Sequence, residues 1–161
     1  MSNDNYIKGL DAACVRILKE KNLVLTTAES CTGGMVSSLI VNISGASNVF
    51  KQGYVTYCDE AKEEMLGVSH DTMVKYKAVS SEVAREMAVG ARQKAKADVA
   101  VAITGVAGPS MEDGKPVGLV FIACNYKNDV IVREFNFTGD RKSVRQQAAF
   151  NALKLVIDVI K

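Results

Sequence analysis

The sequence predicts an α/β/α sandwich, three layers around a mixed, mostly parallel sheet of about five strands. Three observations carry that expectation. The run Val99-Ala100-Val101-Ala102-Ile103 is apolar without interruption and is bounded by Asp98 and Thr104-Gly105, as suits a central strand covered on both faces. Strand-like and helix-like segments alternate through the first two-thirds of the chain, which is how parallel strands joined by crossover helices read. The last third holds two strand-like runs flanking Lys127-Asn128-Asp129, an expected antiparallel hairpin, and then a closing helix.

In chain order, Ile7, Leu10, Cys14 and Ile17 recur at helical spacing, and the turn Lys21-Asn22 follows that first helix. Leu23-Val24-Leu25 opens a strand that ends at Ser30, and Met35-Val36-Ser37-Ser38-Leu39-Ile40-Val41 reads as a helix of small and apolar residues. After the loop Ser44-Gly45-Ala46-Ser47, a second strand is expected from Phe50 to Tyr57. Asp59 is the expected N-cap of a short helix through Leu66, closed by Gly67. Val83, Met87 and Ala91 lie four apart, with Ala84 and Ala88 beside them, giving an amphipathic helix from Ser81 to about Lys96. The hairpin strands are expected over Val117 to Cys124 and Val130 to Phe137, and Val144, Ala148, Ala152, Leu155 and Val159 give the closing helix its buried stripe. No internal repeat, low-complexity tract or linker interrupts this order, so residues 1–161 read as one domain.

Composition narrows the function. With 161 residues, 48% of them hydrophobic, the chain can bury one proper core and has little room for a second. A formal net charge of +2 supplies none of the basic field that nucleic-acid binding needs. Cys14, Cys31, Cys58 and Cys124 show neither C-x-x-C pairing nor zinc spacing, and the single histidine cannot supply a metal cluster. Neither a metal nor a cofactor is therefore expected, and the thiols read as reduced and cytosolic. Met1-Ser2-Asn3-Asp4-Asn5 is polar and acidic, unlike the basic start of a signal peptide, and no run approaches membrane-spanning length. The expectation is a soluble, cytoplasmic homo-oligomer, a dimer, that acts on a small molecule and engages neither nucleic acid nor membrane.

Chemistry gathers at Thr26-Thr27-Ala28-Glu29-Ser30-Cys31-Thr32-Gly33-Gly34, where the first strand meets its helix with a serine at the junction. One reading makes Ser30 a plain helix cap. The other makes it a nucleophile, with Glu29, Cys31, Thr32, Gly33 and Gly34 as substrate contacts and the unpaired N–H groups of the helix's first turn holding an oxyanion or phosphate. Ligands in open α/β sheets sit at the carboxyl ends of the strands, and the second and third strands are expected to end there in Tyr57-Cys58 and Thr104-Gly105. The loop Thr104-Gly105-Val106-Ala107-Gly108-Pro109-Ser110 can line the same crevice, Gly105 and Gly108 opening its backbone to a ligand.

A serine nucleophile needs a base. His70 follows Gly67-Val68-Ser69 in an expected exposed turn, which favours a surface role. Lys62 lies in the first turn of the helix expected from Asp59, where the dipole and partial burial both favour a neutral amine; Glu60, Glu63 and Glu64 would oppose that if they point inward. A solvated surface lysine is the competing reading. Tyr57 can relay a proton or orient the amine, or simply rest its ring in the core with its hydroxyl at the rim. In Gly139-Asp140-Arg141-Lys142-Ser143, Asp140 reads as a helix cap, while Arg141 and Arg145 on adjacent turns form either an anion site or a solvated face. Phosphate-loop, dinucleotide and G-x-S-x-G signatures do not occur.

These residues resemble the C-terminal domain family of the competence/damage-inducible protein CinA. The likeness runs through Thr27 to Gly34, Gly53 to Gly67 around Tyr57 and Lys62, Ala78-Val79-Ser80, Ala102 to Pro109, Lys115-Pro116-Val117-Gly118 and Gly139-Asp140-Arg141, in family order over nearly the whole chain. Stand-alone members are nicotinamide-nucleotide amidases of pyridine nucleotide salvage. The resemblance implies the same α/β/α fold and metal-independent hydrolysis of the carboxamide of nicotinamide mononucleotide to nicotinate mononucleotide and ammonia. It implies Ser30 as nucleophile, Lys62 as its base and Tyr57 as the assisting hydroxyl, with Thr104, Gly105 and Arg141 in the pocket. Three other readings stay open: a catalytically silent interaction module, an amidase for another small amide, and attack by Cys31, which no histidine nearby in sequence supports.

Overall fold

The computed structural model describes residues 9–161, so Ile7 and the polar start of the chain lie outside the described residues. Helix α1 (Leu10–Glu20) leads to β1 (Leu25–Glu29), α2 (Met35–Val41), a 3-10 turn (Ala46–Asn48) and β2 (Tyr54–Val55). Three helices follow, α3 (Asp59–Leu66), α4 (His70–Tyr76) and α5 (Ser81–Ala95), before β3 (Val99–Gly105), the hairpin β4 (Leu119–Tyr126) and β5 (Asp129–Asn136), and the closing helix α6 (Arg141–Ile160). The five strands lie in the order β2-β1-β3-β4-β5. Strands β1, β2 and β3 are mutually parallel and β4 runs against both neighbours, so four of the five strands point the same way. The expected mixed, mostly parallel sheet is what forms.

Alternation along β3 shows why the sheet is a middle layer. Val99, Val101 and Ile103 enter a core shared with α1, α2 and α6, whereas Ala100 and Ala102 face a second core built by α3, α4 and α5. Large side chains on one face and methyl groups on the other let α5 settle close to the sheet. Gly90, in the middle of α5, extends that closeness to α3: a Cβ there would lie 1.8 Å from the carbonyl oxygen of Leu66.

Topology fixes the place of the site. From β1 the chain crosses to β2 by way of α2 on one face; it returns past β1 to β3 by way of α5 on the other. The strand order therefore reverses between β1 and β3, and a crevice opens at their shared carboxyl edge.

Some boundaries depart from the sequence expectations. The second strand is confined to Tyr54–Val55, with only an isolated bridge between Phe50 and Leu25, because it is a short edge strand. Cys58, in extended conformation, caps α3, and Asp59 is its first helical residue. Helix α4 occupies what the sequence suggested was a turn: His70 opens it, 74% exposed, with Nδ1 2.9 Å from Glu63 Oε1. The hairpin strands begin and end within two residues of their expected limits.

Candidate active site

A cavity of about 170 Å³ occupies the crevice. Of the residues singled out from the sequence, Ser30, Cys31, Tyr57, Lys62, Thr104, Gly105, Gly108 and Arg141 line it. Asp59, Ala78, Val79, Val106, Ala107, Ser110 and Glu112 line it as well. Glu112 sits in a loop with no periodicity to mark it, and Ala78-Val79 are tied to the site by distant residues, Thr104 Oγ1 donating to the Ala78 carbonyl 2.8 Å away.

The Ser30 turn is built from both sides. Its amide donates to the Ile103 carbonyl at 3.0 Å, which fastens the turn to β3. Its carbonyl accepts from the Gly33 amide, also at 3.0 Å. The fully buried Glu29 carboxylate accepts from the amides of Gly34, Val36 and Ser37 at 3.1, 3.0 and 2.8 Å and from the Ser37 hydroxyl at 2.8 Å. A buried helix start must have its amides satisfied, and the end of the preceding strand supplies the acceptor. This corrects two expectations. The first turn of α2 is already capped by an internal carboxylate and has few donors left for an oxyanion, and Glu29, Thr32, Gly33 and Gly34 build the turn without lining the cavity.

Lys62 is 1% exposed, one of the largest fully buried side chains in the protein. That removes the solvated-lysine reading. Its Nζ donates one long hydrogen bond, 3.5 Å to the Cys58 carbonyl, and bonds to no carboxylate among the described residues. Burial pushes its pKa below the ordinary lysine value; Asp59, Cys58, Glu112 and Cys31 pull weakly the other way. Of the three glutamates that would oppose the shift if they pointed inward, Glu60 is exposed yet still feels the Lys62 charge, and Glu63 is turned to His70. The Ser30 hydroxyl, in a residue 8% exposed, lines the cavity with Lys62. A hydroxyl and an amine inclined to neutrality thus share one cavity.

Cys31 shares it too, yet burial pushes its thiol up to about 12, so it stays protonated at neutral pH. Tyr57 is 63% exposed at the cavity rim, with neither ring nor hydroxyl in the core. Its hydroxyl accepts from Arg141, whose other amino group donates to the Gly108 carbonyl. Asp140 caps α6 as expected, its carboxylate accepting from the Ser143 amide at 2.8 Å. Arg141 and Arg145, paired in the sequence, part company: the first crosses the cavity mouth and the second reaches under the Ser30 turn. Lys115 donates to the carbonyls of Tyr76 and Val79, the second of which lines the cavity. Among the described residues, no three His, Cys, Asp or Glu side chains converge on a point where a metal ion could be held.

The α/β/α sheet thus places a serine and a buried lysine together at its switch point. The model of the CinA C-terminal domain matches residues 7–160, and the chain belongs to that family. It is 49% identical over 146 residues to a CinA-like protein of Thermotoga neapolitana, covering 90% of this chain and 36% of that one. A putative competence-damage inducible protein of Clostridium beijerinckii is 47% identical over 150 residues, covering 91% and 36%. The chain thus spans about a third of the length of these relatives. Among solved structures it is similar to a CinA superfamily protein of Escherichia coli, at TM-score 0.93 and 38% identity over 99% of this chain and 93% of that one. The competence/damage inducible protein CihA of Agrobacterium tumefaciens is similar at TM-score 0.93 and 36% identity, covering 97% and 96%. Along the sheet and helices, the fold is that of the CinA superfamily. No described helix is long and apolar enough to cross a membrane.

Proposed function

We propose that this chain hydrolyses the carboxamide of nicotinamide mononucleotide to nicotinate mononucleotide and ammonia. The observation that carries the reading is Lys62, 1% exposed and with a lowered pKa, in the cavity that Ser30 lines. Neutral Lys62 accepts the Ser30 proton as Oγ attacks the amide carbon. The tetrahedral intermediate collapses as the Lys62 ammonium returns that proton to the departing nitrogen, which leaves as ammonia. An ester on Ser30 remains. Water, deprotonated by the again-neutral Lys62, attacks the ester carbonyl; the ester C–O bond breaks, Ser30 recovers its proton from the Lys62 ammonium, and the acid product loses its own proton to solvent and departs as the carboxylate.

The remaining cavity residues suit the rest of such a substrate. A space of about 170 Å³ receives the carboxamide end, while Arg141 at the mouth offers a guanidinium to the phosphate. The test is ammonia release from nicotinamide mononucleotide by the protein, by Ser30→Ala and by Lys62→Met. Turnover by the parent with near-complete loss in both variants is expected. Equal turnover by Ser30→Ala would reject the nucleophile; no release from any small amide would leave an interaction module, and release that ignores the ribose phosphate would indicate a different amide as substrate.

A further inference from the structure

Arg145 is at the opposite end of the chain from the serine turn, yet its guanidinium is given wholly to that turn. Nε donates to the Cys31 carbonyl at 2.9 Å and Nη2 to the Thr32 carbonyl at 3.0 Å. Among the described residues it forms no ion pair with a carboxylate. A partly buried cation held by two carbonyls, with no anion opposite, calls for a reason beyond surface solvation.

The bonding pattern supplies one. The Thr32–Gly33 peptide is a rigid plane with its carbonyl and N–H on opposite sides. Arg145 holds the carbonyl, and the N–H donates to the Ser30 carbonyl at 3.0 Å. A single planar unit therefore connects the guanidinium to the main chain of Ser30, whose amide is fixed to Ile103 at 3.0 Å. Glu29 anchors the helix side of the same turn through the amides of Gly34, Val36 and Ser37. Remove Arg145 and the turn keeps its strand anchor and its helix anchor, but loses the brace between them. That brace sits directly behind the residues that follow the serine.

The geometry points to Arg145 as a positioning residue that sets the direction of the Ser30 hydroxyl. This rests on the reading of Ser30 as a nucleophile. Arg145 forms its hydrogen bonds to the carbonyls of Cys31 and Thr32, and it does not line the cavity. Its planar fork spans two acceptors at once, which the point charge of a lysine cannot do.

The experiment compares the parent with Arg145→Ala and Arg145→Lys in two assays: turnover of nicotinamide mononucleotide, and labelling of Ser30 by a sulfonyl fluoride, which forms an Oγ–S bond as fluoride leaves and is read by mass spectrometry. Misplacing a reacting atom by an ångström costs on the order of a hundredfold in rate. Arg145→Ala should lose that much in kcat and in labelling rate with KM little changed, Arg145→Lys should recover only a small part, and added methylguanidinium should restore Arg145→Ala. A folded Arg145→Lys protein with the parent's kcat and labelling rate overturns the proposal, as does a loss confined to KM. If Arg145→Ala fails to fold, Arg145→Lys decides alone. If the parent labels at Ser30 but does not turn over the nucleotide, the substrate reading fails while the labelling rates still judge Arg145. No labelling and no turnover in the parent would overturn both.

Discussion

Arg141 and Tyr57, 84 residues apart, meet at 2.9 Å across the mouth of the cavity. The first residue of the last helix and the residue just beyond the edge strand thus form one wall, with Gly108 tied in through its carbonyl. Binding at the mouth should feel both residues together. Arg141→Ala is expected to raise KM for nicotinamide mononucleotide about tenfold or more, as loss of a charge-assisted phosphate contact would. Tyr57→Phe should cost less, and the double variant less than the sum, with a coupling on the order of 1 kcal/mol in kcat/KM. Strict additivity would show that the contact does not organise the mouth.

Lys62 ties activity and stability to pH in a defined direction. Burial lowers its pKa in the folded protein, so kcat should rise with pH through that lowered value as the amine becomes neutral. Between the lowered value and the ordinary lysine pKa, the unfolded chain binds more protons than the folded one, and stability rises with pH there. Lys62→Met should lose about 10²–10⁴-fold in turnover, and it should be more stable than the parent at neutral pH. Its denaturant midpoint should also lack the parent's climb on the alkaline side. A variant less stable than the parent at pH 7 would contradict the assignment of a costly buried amine.

Thiol chemistry should pass the nucleophile by. Burial pushes Cys14, Cys31 and Cys124 each up to about 12, whereas Cys58 is exposed. Cys31→Ser should keep turnover within about tenfold of the parent, because a thiol that stays protonated is not the attacking group. Peptide mapping after brief iodoacetamide treatment should find the label on Cys58. Rapid alkylation of Cys31 with parallel inactivation would reopen the cysteine mechanism.

Gly90→Ala offers a test of the packing that supports the lysine. Helix propensity alone would have alanine stabilise α5 by about 1 kcal/mol. The new Cβ would fall 1.8 Å from the Leu66 carbonyl oxygen at the end of α3, the helix that carries Lys62. Overpacking of this kind costs about 1–3 kcal/mol, and urea unfolding should show a net loss with reduced activity. A gain in stability would mean that α3 and α5 are not pressed together there.

Periodicity and punctuation made most of the fold legible. The unbroken apolar run of β3, the fourfold spacing of Val83, Met87 and Ala91 and the Asp140 cap each follow from local chemistry that acts within a few residues. Helix α4 escaped because Met73 is the one residue it buries, which leaves no apolar period of the kind that marks the equally short α2, and the second strand is shorter than expected because an edge strand pairs on one side only. Eight of the expected cavity residues line it, since strand ends and glycine turns announce themselves.

The sequence by itself determined the alternation of strands and helices, the serine at the strand–helix junction and the lysine in the first turn of α3, because each is written in neighbouring residues. Only the tertiary structure decided that Glu29 satisfies its own helix, that Lys62 is buried, and that Arg141 and Arg145 serve opposite sides of the site. The reason is physical: burial and hydrogen-bond partnership depend on which distant segments the sheet order brings together, and a linear pattern carries no such distances.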